Sequence, residues 1–236
     1  MKFPKCSASY LKDGLSALTF HEANYAKYDP LVNNLPANHH IILDRFFQSW
    51  KYFNVENEFI RNTVFKFHKD IDFAAEQRLK QGLKYLEKEK CKHPCFDVKI
   101  AVHIRRKNLD QKHLRDLGYT TPPIEYYKNA MEFFLKKYKY LKSVFVVSSD
   151  DLKWAKFNLV SITDRLIFIQ SNHPAIDMAI LSKCNHTIIS VGTFGWWSAW
   201  LANGTTVYYK DWPVVGSSLY ESTNHADYFP SSWIPM

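Results

Sequence analysis

In the stretch KIAVHIRRKNLD, residues 99–110, an apolar run ends in His103 and then two adjacent arginines, Arg105 and Arg106. Neighbouring guanidinium groups repel each other. Each is also a planar fork of donors that matches phosphate oxygens and stays charged at every relevant pH. The pair makes chemical sense if a dianion is held there, or if a carboxylate such as Asp110 or Asp150 neutralises it at the surface. Further on, SVGTFGWWSAW sets Gly192 and Gly195 around Thr193 and Phe194, just ahead of a helical run. A helix amino terminus offers free N–H groups and a partial positive charge, which favour phosphate, and glycine leaves the backbone bare for close approach. A fork and a bare turn together describe a diphosphate site. SSDD adds Asp150 and Asp151, whose carboxylates could accept from ribose or sugar hydroxyls; equally, Ser149 or Asp150 could cap the following helix. Asp177 falls in a helical first turn, where a carboxylate complements the dipole or could accept from the N1–H and N2–H₂ of a guanine.

The elements that must position these residues can be read from periodicity. KIAVHIR, SVFVVSS, RLIFIQ, HTIISV and TTVYYK are short, β-branched apolar runs of the kind that form buried strands. Between them lie helical patterns. Ile124, Tyr127, Met131, Phe134, Leu135 and Tyr138 share one face of the first, and Pro174 opens another at a position that tolerates it. Strand and helix in turn predict a five-stranded parallel sheet with helices on both faces. Ligands of such folds sit beyond the carboxyl ends of the strands, where HIRR, SSDD and GTFG all fall. Trp196, Trp197 and Trp200 read as core. The first half is irregular around Pro30 and Pro36, then strand-like and aromatic in HIILDRFFQSWKYF. Residues 70–90 follow as an amphipathic helix with Ile71, Leu79, Leu83 and Leu86 inward. The expected boundary separates residues 1–97 from an α/β domain at 98–236.

Bulk composition narrows the function classes. A chain of 236 residues, 46% hydrophobic and 16% aromatic, is no disordered segment. The net charge of +8 favours anionic partners, but the lysines lie on amphipathic helical patterns, as solvated faces do, and argue against nucleic acid. Of the four cysteines, Cys6, Cys91, Cys95 and Cys184, Cys91 and Cys95 flank His93 without a second ligand cluster, so a local disulfide or plain thiols are expected rather than zinc. Asn185 and Asn203 head N-glycosylation triplets. No run of about 18 apolar residues is present and the first residues lack a signal-type apolar core, so neither anchor nor leader is expected in this chain.

The motifs AVHIRRKN, VFVVSSDDLKWAK and, above all, DMAILSKCNHTIISVGTFGWWSAWLANG resemble the galactoside α-1,2-fucosyltransferases. The more distant α-1,6- and protein O-fucosyltransferases are also similar. The resemblance covers about residues 40–212 and implies an α/β fold, a Rossmann-like GDP-fucose domain of a GT-B-like glycosyltransferase, here with an incomplete amino-terminal lobe. It implies inverting, metal-independent transfer of L-fucose from GDP-fucose to the 2-hydroxyl of a terminal galactoside, a galactose-terminated glycan as acceptor, no cofactor, and a Golgi address as a membrane glycoprotein. By that pattern His103 and Asp177 read the guanine, Arg105 grips the β-phosphate with Arg106 close by, and Thr193, Phe194 and Gly195 line the diphosphate. Asp150 or Asp151 then lies near the ribose and fucose. The family's His-x-Arg-Arg-Gly-Asp becomes His-x-Arg-Arg-Lys-Asn here, through Lys107 and Asn108, and no Gly-Asn-Gln loop is found. The alternative is a divergent, non-catalytic member that binds nucleotide-sugar or glycan.

Overall fold

The computed structural model describes residues 17–90, 96–109 and 111–236; Cys6, Cys91, His93, Cys95 and Asp110 lie outside the described residues. In the amino-terminal part, β1 (Ala17–His21) and β2 (His40–Asp44) pair as a small parallel ladder. Of the strand-like aromatic stretch, only His40–Asp44 is strand. The chain then turns through Arg45 and Phe47, at φ 105° and 48°, into a 3₁₀ turn at Trp50–Tyr52. Positive φ is costly for a bulky side chain, so periodicity cannot foresee this turn. The helical turn α1 (Asn57–Phe59) leads into one wider turn at Ile60–Val64 and then the long helix α2 (Lys69–Lys90).

The body is one all-parallel sheet of β3 (Val98–Ile104), β4 (Ser143–Ser149), β5 (Leu166–Ile169), β6 (His186–Ile189), β7 (Thr206–Tyr208) and β8 (Ile234–Pro235). The order across it is β5-β4-β3-β6-β7-β8. The five predicted strands are present. The sixth, β8, has only two residues, one of them a proline without an N–H, too little for any periodicity. The helices are α3 (Lys112–Leu117), α4 (Ile124–Lys137), α5 (Leu152–Leu159), α6 (Pro174–Ser182), α7 (Thr193–Ala202), α8 (Ser218–Glu221) and α9 (His225–Tyr228).

Strand β3 is covered on both faces, which is why its run is apolar apart from Lys99 and His103. Ile100, Val102 and Ile104 pack with Tyr127, Met131 and Phe134 of α4 and Leu159 of α5. On the opposite face Ala101, with Val144 and Val146, meets Leu79 and Leu86 of α2 and Ile176, Ile180 and Leu181 of α6. Gly82 permits that second layer: a Cβ there would lie 2.7 Å from a methyl of Ile167 on β5. A third cluster, rich in aromatic rings, joins Trp196 and Trp200 of α7 to Trp212, Tyr228, Phe229 and Trp233, with Phe53 and Phe65 set against them. These tryptophans are core, as expected, except that Trp197 is only partly buried.

Candidate functional site

Strands β4, β3 and β6 lie side by side and parallel, so the segments leaving their carboxyl ends are neighbours. At the end of β3, Arg105 Nη1 donates to Asp150 Oδ2 at 2.5 Å. The same carboxylate accepts the backbone N–H groups of Arg106 (2.9 Å) and Lys107 (3.1 Å). Asp150 thus organises the whole turn after β3, and the carboxylate that orients Arg105 comes from the end of β4. The guanidinium of Arg106 lies over the Trp154 ring, 3.9 Å from its centroid. The adjacent arginines therefore separate: Arg106 stacks on α5, while the Arg105 side chain remains 42% exposed with donors to spare. Asn108 adopts φ 68°, a left-handed conformation that asparagine tolerates.

Asp151, not Ser149 or Asp150, caps α5, its Oδ1 accepting Trp154 N–H at 3.1 Å. Ser149 Oγ in turn accepts Asp151 N–H at 2.9 Å. Sequence alone could not choose among three capping-competent residues in succession.

His103 connects the two halves of the site. It is buried, and burial first, then the charge of Arg105, pushes its pKa down to about 4, so the ring is neutral at pH 7. Ser190 Oγ accepts Arg105 N–H at 2.9 Å and lies 3.1 Å from His103 Nδ1. With two lone pairs and one proton, the hydroxyl that accepts from the amide can also pair with Nδ1 in either tautomer of the ring. The ring then meets the start of α7. The Phe194 ring is 5.4 Å away, and a Cβ on Gly195 would fall 2.3 Å from His103 Nδ1. Gly195 is therefore a packing requirement. Gly192 is a conformational one, with φ 94° and open space where its side chain would be. It caps α7 without a side chain, which leaves first-turn N–H groups facing outward beside Thr193.

Asp177 sits in the first turn of α6, and its Oδ1 is buried with no hydrogen-bond partner, an arrangement that suits a ligand donor. Periodicity gave no sign of Ser190, the link between Arg105 and His103. Nor did it mark Gln48, whose buried Oε1 lacks a partner near the start of α7. Of the two glycosylation triplets, Asn185 uses its Oδ1 to accept Lys99 N–H at 2.9 Å, and its Thr187 is buried in β6. Asn203 is exposed at the end of α7 with φ 56°. Cys184 is a buried free thiol, pushed up to about 12 by burial. Among the described residues no helix is long and apolar enough to cross a membrane.

The sequence matches the family described as Glycosyl transferase family 11 over residues 32–235. Galactoside alpha-(1,2)-fucosyltransferase 1 of Mus musculus is 28% identical over 222 residues, 87% of this chain and 58% of that protein. Galactoside 2-alpha-L-fucosyltransferase SEC1 of Bos taurus is 40% identical over 128 residues, 50% of this chain and 32% of that protein. The chain thus spans about half the length, or less, of the curated relatives it matches. Among solved structures, POFUT1 in complex with GDP aligns at 11% identity and a TM-score of 0.44, covering 75% of this chain and 56% of that one.

Proposed function

Since the chain belongs to glycosyl transferase family 11, we propose that it transfers L-fucose from GDP-fucose to the 2-hydroxyl of a terminal galactoside, with inversion. The observation that carries the reading is the His103 joint. One buried ring touches the start of α7 and, through Ser190, the backbone of Arg105, so fork and bare turn share one edge of the sheet. In this reading Arg105 and the first-turn N–H groups at Thr193, Phe194 and Gly195 hold the diphosphate. Asp177 Oδ1, orphaned in the free protein, accepts from guanine, and His103 shapes the base side as a neutral group. As fucose departs, negative charge grows on the β-phosphate. A preorganised guanidinium beside it lowers the barrier without reorganisation. Asp150 keeps that guanidinium in place, and Arg106, stacked on Trp154, contributes field rather than contact. Residues 98–236 then form the donor domain of a GT-B-like enzyme and residues 1–97 its acceptor side; no metal takes part, and the Golgi address belongs to the same reading.

Two observations favour a second reading, a non-catalytic binder of nucleotide-sugar or glycan. Asn108 replaces the family's carboxylate, and Arg105 spends a donor on Asp150. Calorimetric titration with GDP, run beside fucose transfer to lactose, separates the two. The expected result is GDP binding that Arg105→Ala weakens about 10–100-fold, the worth of a charge-assisted hydrogen bond, together with transfer. Binding without transfer favours the second reading. Unchanged GDP affinity in the variant, or no binding by the native chain, overturns the donor site.

A further inference from the structure

A cavity of about 400 Å³ lies beside the start of α7, lined by Thr193 and by Tyr25, Phe46, Gln48, Phe53 and Trp197 among others. Its volume falls in the range of small-ligand sites, ~300–1,000 Å³. None of its lining residues carries a charge, unlike the cationic turn after β3. Phe46 offers a ring on a residue 63% exposed, 5.4 Å centroid to centroid from Tyr25. An exposed phenylalanine held beside another ring is a stacking surface for an apolar face. The Gln48 amide supplies what the rings lack, a buried carbonyl oxygen with no partner.

The wall is fixed in place. Glu22 is 3% exposed; its carboxylate accepts Phe47 N–H at 2.7 Å and the Tyr52 hydroxyl at 2.8 Å. Those bonds hold the backbone through Arg45 and Phe47 at positive φ, a cost that persists only where surrounding contacts impose it and that gathers at ligand clamps. The position is equally specific. Thr193 faces this cavity, whereas the next residue, Phe194, turns to His103 and the cluster under α6. The start of α7 thus divides the nucleotide side, with Asp177, from an uncharged aromatic chamber.

We infer that this chamber receives the terminal hexose of the acceptor, a neutral galactoside whose C–H face lies on Phe46 and Tyr25. The inference rests on the donor reading above and adds the second substrate to it. An uncharged ligand suits an uncharged lining, and contact with Thr193 sets its hydroxyls beside the departing phosphate. Hexose hydroxyls supply the donors that the Gln48 amide leaves unmet.

The test compares the native chain with Phe46→Ala, a change at an exposed side chain that leaves the core intact, and with Phe46→Trp, which keeps a stacking face. Lactose is titrated into GDP-loaded protein and followed by saturation-transfer NMR; GDP is titrated separately by calorimetry. Phe46→Ala is expected to weaken lactose about 5–10-fold, the worth of one aromatic contact, with GDP affinity unchanged and with Phe46→Trp close to native. Lactose binding that is absent, or indifferent to Phe46→Ala while GDP still binds, overturns the chamber and leaves the donor reading standing. A Phe46-dependent loss in GDP-fucose affinity, with lactose unaffected, assigns the chamber to the donor's sugar and overturns the acceptor role. Phe46-dependent lactose binding without GDP binding sinks the donor reading while the chamber holds.

Discussion

His103 is sealed beneath a guanidinium, and the consequence can be measured as a slope in stability. Its folded pKa is held at about 4, mainly by burial, against an ordinary value of 6.5. Between those values the unfolded chain takes up a proton that the folded chain refuses. The contribution is therefore complete above about pH 6.5 and is lost as the pH falls through about 4, amounting to about 3 kcal/mol. His186 is also held low, by burial and then by Lys137, and Glu76 by its hydrogen bond with Lys80, so the native profile mixes several groups. Urea midpoints for the native chain and His103→Gln, measured from pH 7.5 to 4, separate them. The native chain should lose stability more steeply with acid than the variant does. Parallel profiles would mean that the ring is not held neutral. The same burial keeps the histidine from adding its charge to a turn that already carries Arg105, Arg106 and Lys107.

At the scale of elements, the contact between β3 and α7 decides the geometry of the site, and Gly195 is where it is closest. An added Cβ would lie 2.3 Å from His103 Nδ1 and 3.0 Å from two ring carbons, so helix or ring must shift. Overpacking of this kind costs about 1–3 kcal/mol. Gly195→Ala should lower the thermal midpoint and weaken GDP, because the first-turn N–H groups move with the helix. Gly204→Ala serves as the comparison, since its Cβ would clash with the Asn185 carbonyl away from the α7 start; it should cost stability with little effect on the GDP affinity of the folded fraction. Equal GDP losses in both would remove the special role of the β3–α7 contact. The parallel sheet itself was legible, because strands such as VKIAVHI are buried on both faces and are therefore largely apolar, Lys99 and His103 apart. What escaped reading depends on distant partners. Gly195 reads from sequence as exposed phosphate-binding backbone, yet a histidine from β3 explains it. Asp150 reads as a partner for the arginines, a cap or a hydroxyl acceptor; the pair with Arg105 forms, but the carboxylate's hold on the backbone of Arg106 and Lys107 was not legible. The turn at Arg45–Phe47 is imposed by Glu22, a residue on the far side of β2.

Over the whole molecule, a buried carboxylate ties the aromatic amino-terminal segment to the sheet body, beside the backbone bonds of Ala26 to Ser222 and Asn224 and the packing of Phe53 and Phe65 on α7. Asp227 on α9 is 7% exposed. Its Oδ2 accepts Tyr28 N–H at 3.0 Å, its Oδ1 accepts Lys51 Nζ at 2.5 Å, and its backbone carbonyl accepts Ser49 Oγ at 2.8 Å. The Trp50 indole donates to the neighbouring Ala226 carbonyl at 3.1 Å. These bonds bracket the segment that walls the chamber, while the core of the sheet lies elsewhere, around β3 and β4. Asp227→Ala strands an amide and a half-exposed ammonium, and a loss of about 2–4 kcal/mol is expected. Asp227→Asn keeps an acceptor for Tyr28 and should lose about half as much. The loss should be local, because the wall draws on the tether and the sheet does not. Hydrogen exchange in Asp227→Ala should therefore quicken across residues 45–53 while β3, β4 and β6 keep their native protection. Lactose binding should fall with the wall and GDP binding should survive with the sheet. Uniform acceleration, in strands and wall alike, would show that the segment and the sheet unfold as one unit and that Asp227 stabilises the whole rather than presenting one face of it.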